Sequence, residues 1–162
     1  MKALALTLLL FTLSAIVSAQ DSAIYKRFPI VPPFSIIRVP DSTVFTKMDI
    51  KKHSPVIIMI FSPDCDHCQK ATRALLDNYP LFKKAQVIMA SPVGYDYIKK
   101  FYREYNIQDY PRIIMGRDPT FFFGDFYSFK TYPSIFVYDK KGKFVQSFEG
   151  SLPVKELKEL LD

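Results

Sequence analysis

The chain of 162 residues has no tryptophan, only two cysteines and only two histidines. Two thiols cannot build a multi-bridge secreted scaffold, nor can they supply a four-thiolate metal site. There is no internal repeat, no low-complexity tract and, beyond the first segment, no apolar run of membrane-spanning length. The lysine pairs Lys51-Lys52, Lys83-Lys84, Lys99-Lys100 and Lys140-Lys141 are scattered, with no basic helix and no RNA-binding aromatic pattern, which argues against nucleic acid as a partner. What remains is the composition of a folded domain: 49% hydrophobic and 23% charged, with 15 Phe and 10 Tyr as the large packing units. The length suits one domain that buries a core without disulfides. With 22 basic and 16 acidic residues the net charge is +6, which leaves weak attraction to anionic lipid surfaces open.

The first segment reads as a leader rather than as part of the fold. Lys2 is a short positive region, and Ala3 to Ile16 is apolar apart from Thr7, Thr12 and Ser14. Val17-Ser18-Ala19 then places small residues where a signal peptidase cuts, so residues 1–19 are expected to be a signal peptide, with an uncleaved amphipathic anchor as the alternative. No cysteine follows the site, which argues against a lipoprotein anchor. The mature chain would lose only Lys2 among its charges, leaving 21 basic against 16 acidic residues, or +5. It is expected to be exported to the periplasm or the extracytoplasmic side of the membrane, without stable membrane insertion after cleavage. Disulfides persist in that environment.

Residues 20–33 are expected to form an extended, poorly ordered lead-in, because Pro29, Pro32 and Pro33 block helix. Phe34–Val39 and Thr43–Thr46 read as a hairpin turning at Pro40-Asp41-Ser42. Met48–Lys52 suits a helical turn. Val56–Phe61 (VIIMIF) is a β-branched-rich run of the kind needed by a central strand covered on both faces. A helix is predicted from about Cys65 to Tyr79, stopped by Pro80, with Cys68, Ala71, Leu75 and Tyr79 as its inner stripe. Gln86–Ser91 is the next strand, and Tyr95, Ile98, Tyr102 and Tyr105 mark a second amphipathic helix. Residues 106–131 are hard to read: Ile113–Met115 suits a short edge strand, and the Phe121–Phe129 aromatic cluster suits core more than a binding surface. Ser134–Tyr138 and Lys143–Phe148 form a hairpin around Asp139-Lys140-Lys141-Gly142. Pro153 then opens a last helix that buries Val154, Leu157, Leu160 and Leu161. The order of elements predicts an α/β sandwich with right-handed parallel crossovers and an antiparallel end.

Cys65-Asp66-His67-Cys68 follows directly on the buried strand and opens a helix. A spacing of three sets both sulfurs on one side of the first turn, with Cys65 outward and Cys68 on the buried stripe. The outer thiol can attack a disulfide and the inner one can resolve the mixed disulfide. Free N–H groups at the helix start, and His67 when protonated, favour a thiolate at Cys65. Asp64 and Asp66 oppose it by like charge and are candidates to cap the helix. Competing readings are a structural disulfide, disfavoured because so short a loop closes little entropy, and a soft metal site using Cys65, Cys68, His67 and His53. His53 fits a surface loop better than a ligand. Haem attachment is excluded because Gln69, not His, follows Cys68.

At this point the chain resembles the thioredoxin superfamily, over about residues 34–162. The resemblance rests on the strand leading into CxxC at a helix start, and on Thr131-Tyr132-Pro133-Ser134 leading into IFVYDKKGKFVQSFEG. It implies a thioredoxin-like three-layer sandwich, a central mixed sheet flanked by helices, with an N-terminal β-hairpin extension. It also implies that Pro133 is a cis-proline facing the CxxC, and that Tyr132 presents backbone groups to a bound partner strand. The leader, the hairpin and the long 106–131 insertion look like exported relatives of the TlpA and ResA type. Several positions depart from the family pattern. Asp64 replaces a common Trp, Met59 stands where thioredoxin has a buried acid, and Ala71 stands where ResA-like proteins have Glu. A proton relay for Cys68 must then come from elsewhere or from water. The inner Asp-His pair, with His before the second Cys as in the oxidant DsbA, leaves redox direction open.

The function expected on this basis is thiol–disulfide oxidoreduction with protein thiols and disulfides through Cys65 and Cys68 as the redox-active pair. The preferred direction is reduction, with an unidentified membrane or periplasmic electron donor. No cofactor and no metal are expected. The alternatives are a disulfide oxidase or isomerase, or a thioredoxin-like binding module that docks metal or protein without turnover.

Overall fold

The structure, a computed structural model, describes residues 23–161, so the expected signal peptide lies outside the described residues. In chain order its elements are α1 (Ile24–Arg27), β1 (Ser35–Arg38), β2 (Val44–Thr46), β3 (Val56–Ile60), α2 (Asp66–Asp77), α3 (Tyr79–Phe82), β4 (Gln86–Ser91), α4 (Tyr95–Glu104), β5 (Ile113–Arg117), α5 (Phe122–Tyr127), β6 (Ser134–Tyr138), β7 (Phe144–Glu149) and α6 (Val154–Leu161). Short 3-10 turns lie at Lys47–Asp49 and Ile107–Asp109.

The strands form one mixed sheet in the order β2-β1-β5-β4-β3-β6-β7. β3, β4 and β5 are parallel, and β1, β2, β6 and β7 join antiparallel to their neighbours. Every residue of β3 is buried, as a continuous apolar run between two covered faces requires. Its side chains divide by the period of two. Ile57, Met59 and the following Phe61 enter one core cluster, while Val56, Ile58 and Ile60 enter the other. The crossovers β3-α2-β4 and β4-α4-β5 advance in the same direction across the sheet, so right-handed connections set both helices on one face. That face is filled by Cys68, Ala71 and Leu75 of α2, Ile98 and Phe101 of α4, and Leu157 and Leu161 of α6.

The opposite face is aromatic. Phe34, Phe45, Phe123, Phe126, Tyr127, Phe136 and Tyr138 are buried there. Tyr127 stacks on Phe136 with ring centroids 3.6 Å apart, and the buried Tyr127 and Tyr138 hydroxyls satisfy each other at 2.7 Å. α5, which supplies this layer, starts where the buried Asp118 carboxylate accepts the backbone N–H groups of Phe122 (3.1 Å) and Phe123 (2.9 Å). Gly124 lets the Phe121 ring lie directly against the helix, where a Cβ would push that exposed ring aside.

Several expectations are corrected. The Ile113–Met115 segment is not an edge: β5 lies between β4 and β1, with Ile113 opposite Val87 and Arg117 opposite Ile37. The hairpin that covers it approaches so closely at Gly116 that a Cβ would stand 2.7 Å from the Ile37 carbonyl oxygen. Pro80 starts the extra turn α3 rather than simply stopping a helix, consistent with its fixed φ in a first turn. On α4, Phe101 is buried with Ile98, whereas Tyr95, Tyr102 and Tyr105 are half-buried. The lead-in is not a loose extended strand. It contains the helical turn α1, Tyr25 packs its ring on Tyr127, Phe136 and Phe144, and Val31 is buried with its N–H bonded to the Gly142 carbonyl at 2.9 Å. Aromatic packing by Tyr25 gives this proline-rich stretch the partners that its own backbone lacks.

Candidate active site

The parallel strands β3, β4 and β5 all end at the same rim of the sheet, and the chain leaving β3 reaches Cys65 there. Cys65 is the residue that caps α2, with extended backbone (φ −92, ψ 116), and its sulfur accepts the Cys68 N–H at 3.3 Å. The capping role expected of Asp64 or Asp66 therefore falls to the thiol itself. Asp64, Asp66 and His67 are exposed around it. Gln69 holds the preceding loop by donating from Nε2 to the Pro63 carbonyl at 3.0 Å.

The two thiols are unequal. Cys65 is half-buried and Cys68 fully buried. Burial, together with a hydrogen bond between the two thiols, pushes Cys68 up to about 12 from an ordinary 9.0, only partly offset by the Ser62 backbone. Cys68 is thus held as the neutral thiol beneath Cys65.

The loop before β6 faces this pair. The Tyr132–Pro133 peptide is cis, and Pro133 is buried. Three successive carbonyls behave differently. Ser134 Oγ donates to the Thr131 oxygen at 2.6 Å and Gly150 N–H donates to the Pro133 oxygen at 2.8 Å. The Tyr132 oxygen faces the Cys65 sulfur instead, at 3.8 Å. The Tyr132 ring packs against both core clusters. Burial first, then the negative charge of a Cys68 thiolate and of Asp118, raise its phenol above the ordinary range.

The structure thus brings together Cys65, Cys68, Tyr132 and Pro133, with Asp64, Asp66 and His67 exposed beside them. His53 does not join them, since it precedes β3 and lies at the opposite end of that strand. Among the described residues no group of three or more His, Cys, Asp or Glu side chains could hold a metal ion. The residue that sequence reasoning missed is Asp118, a buried carboxylate at the end of β5, close enough for its charge to act on Tyr132. Its sequence signal was weak: an Asp four and five residues before two Phe N–H groups of a helix no periodicity reveals.

Comparison with known proteins agrees with this fold. A family model described as thioredoxin-like domain matches residues 46–162. The chain belongs to this thioredoxin-like family, within the thioredoxin superfamily, and the chemistry that goes with it is thiol–disulfide exchange. No curated protein matches significantly by sequence. Among solved structures the fold is similar to StoA from Bacillus subtilis (14% identity, 83% of this chain and 99% of that one, TM-score 0.65). It is also similar to the exposed lipoprotein thioredoxin of Streptococcus pneumoniae (19%, 80% and 98%, TM-score 0.61). A third similar structure is a secreted Mycobacterium tuberculosis disulfide oxidoreductase homologous to E. coli DsbE (14%, 80% and 94%, TM-score 0.63).

Proposed function

We propose that this protein works outside the cytoplasmic membrane as a reductant of protein disulfides. The observation that carries the reading is the half-buried Cys65 sulfur at the start of α2, facing the Tyr132 carbonyl, with Cys68 held neutral behind it. Cys65, as thiolate, attacks one sulfur of a partner disulfide. A Cys65–partner bond forms, the partner S–S bond breaks, and the released partner sulfur takes up a proton. Cys68 then loses its proton and attacks the Cys65 sulfur. This closes the Cys65–Cys68 disulfide and releases the second partner thiol. The partner gains two electrons, which an external dithiol donor must return to the pair.

Around that step Tyr132 and Pro133 shape the groove for the partner strand, in which the Tyr132 main chain is the one left facing the thiols. The Cys68 N–H on the Cys65 sulfur favours the attacking thiolate, with His67, Asp66 and Asp64 tuning it from the rim. Export is supported by the leader-like first segment and by structural neighbours that include a secreted protein and an exposed lipoprotein. Among the described residues no helix is long and apolar enough to cross a membrane.

The test is a Cys68→Ser trap expressed in an exporting host. Cys65 is expected to retain partners as mixed disulfides that reductant releases. Recovery of none, with no insulin reduction by the wild type, transfers the reading to a binding module. The reduction potential fixes direction, since thioredoxin-like and DsbA-like values differ by roughly 150 mV.

A further inference from the structure

Two lysine pairs far apart in sequence meet at the end of the sheet opposite Cys65. β3 and β6 run antiparallel with Val56 opposite Tyr138, so the segment entering β3 lies beside the segment leaving β6. Lys51, Lys52 and His53 from the first segment, Lys140 and Lys141 from the second, and Lys47 from the 3-10 turn line one cavity of about 390 Å³. Its remaining walls are mainly apolar, formed by Val31, Ile50 and Val56 together with Gly142, with Ser54 the one further polar side chain.

Among the described residues no carboxylate forms an ion pair with these lysines. The ion pairs among the described residues are Arg38–Asp41 and Lys100–Glu104, both elsewhere. Asp49 and Asp139, adjacent to these lysines in sequence, offset part of the charge but are turned to local hydrogen bonds: Asp49 accepts from Thr46 N–H and Oγ1, and Asp139 accepts from Lys141 and Lys143 N–H groups. The walls are also fixed in place. Lys51 N–H donates to the buried Gln86 side chain at 2.8 Å, and Val31 N–H to the Gly142 carbonyl at 2.9 Å. Five lysines against two neighbouring carboxylates leave an excess of positive charge around one concavity, which a bound anion of double charge offsets. A small inorganic anion has no use for an apolar floor, whereas a phosphate attached to an apolar group uses both.

We propose that this cavity is a binding site for a phosphate-bearing amphiphile, the chemistry shared by an anionic phospholipid headgroup and a soluble organic phosphate ester. It lies beyond the far end of β3 from the thiols, so its occupancy and the exchange reaction are separable. The reduced full-length mature protein is titrated at low salt with phenyl phosphate, with inorganic phosphate, and with phosphatidylcholine vesicles with and without phosphatidylglycerol. Amide shifts of His53 and Gly142 report the soluble probes, and co-sedimentation reports the vesicles. Saturable binding of phenyl phosphate, or binding only to vesicles that contain phosphatidylglycerol, is expected, and the arm that responds names the source. Lys51→Glu with Lys52→Glu should weaken that binding about tenfold or more. Lys99→Glu with Lys100→Glu, on α4, should change it by less than about twofold. Lys51→Gln with Lys52→Gln repeats the test with a milder change, and insulin reduction should be unaltered in all three variants. The proposal is overturned by no saturable response in either arm, by equal weakening from the α4 pair, or by inorganic phosphate binding as tightly as phenyl phosphate.

Discussion

The two faces of the sheet are built from different material. One is covered by α2, α4 and α6, whose mostly aliphatic stripes, with Phe101 and one buried thiol among them, pack on Ile57, Met59 and Val87. The other is covered by stacked rings drawn from the lead-in, the first hairpin, α5 and β6. Helical packing needs only a stripe repeating every three or four residues. Ring packing instead needs partners brought from distant parts of the chain, each buried aromatic contributing a large apolar area. The helical face carries the thiols, and the aromatic face anchors the sheet beneath them. Tyr132 packs on both, so it is the side chain through which a change on one side can reach the other.

This division of labour can be broken experimentally, and the largest effect belongs to the helical face. Cys65→Ser is expected to lower insulin reduction on the order of 10³-fold or more while leaving the thermal midpoint near that of the reduced wild type. Substantial residual turnover in that variant would remove Cys65 from the role of nucleophile. Next in size is the aromatic face. Tyr127→Ala takes away the ring stacked on Phe136 and should cost about 3–5 kcal/mol in denaturant unfolding, while the folded protein keeps its alkylation rate at Cys65. A changed alkylation rate would show that the faces are coupled through Tyr132.

A pH experiment sharpens the contrast further. In the folded protein the Cys68 thiol titrates at about 12 rather than 9.0. Below pH 9 both folded and unfolded chains keep the proton. Above it the unfolded chain loses the proton first, so the stability that this thiol contributes is lost as pH climbs from about 9 towards about 12. The stability gap between the reduced wild type and reduced Cys68→Ala should therefore narrow across that window, and a constant gap would contradict the burial argument. Tyr102, Tyr127 and Tyr138 are raised without any contribution from Cys68 and cancel between the two proteins, whereas Tyr132, raised in part by Cys68, adds to the narrowing in the same direction. The smallest effect is Tyr127→Phe, which leaves the buried Tyr138 hydroxyl without its 2.7 Å partner and should cost about 1–2 kcal/mol.

The same contrast explains what could be read from the sequence. Val56–Phe61, the Cys65–Cys68 spacing and Gln86–Ser91 were legible because each signal is local: an apolar run, a fixed spacing, a run of strand formers. Tyr132 and Pro133 were singled out by resemblance rather than by pattern. The aromatic layer was illegible for physical reasons. Residues 122–127 form a helix although Phe favours strands, and both Phe121 and Ser128 bound it in left-handed backbone (φ 56 and 50), which no periodicity announces. β5 looked like an edge because the strand that covers it, β1, lies far upstream in sequence. Lys51-Lys52 and Lys140-Lys141 looked scattered because only the β3–β6 register brings them together. Asp118 stayed hidden for a similar reason, its two N–H partners belonging to a helix that the sequence did not reveal.

The close approach at Gly116 bears on how the domain can be trimmed. Only the end of the first hairpin falls within the family match at 46–162, yet β1 occupies the outer rim of β5. A chain cut to its recognisable portion would leave that rim as an open lip of unpaired N–H and C=O groups, ready to recruit a stranger's strand. With the hairpin present, β1 covers the end of that lip from Met115 to Arg117, and the new border is β2, only three residues long and too short to invite much company. The shorter domain would be the stickier one, and the add-on hairpin serves as the hem that keeps the sheet from fraying into its neighbours.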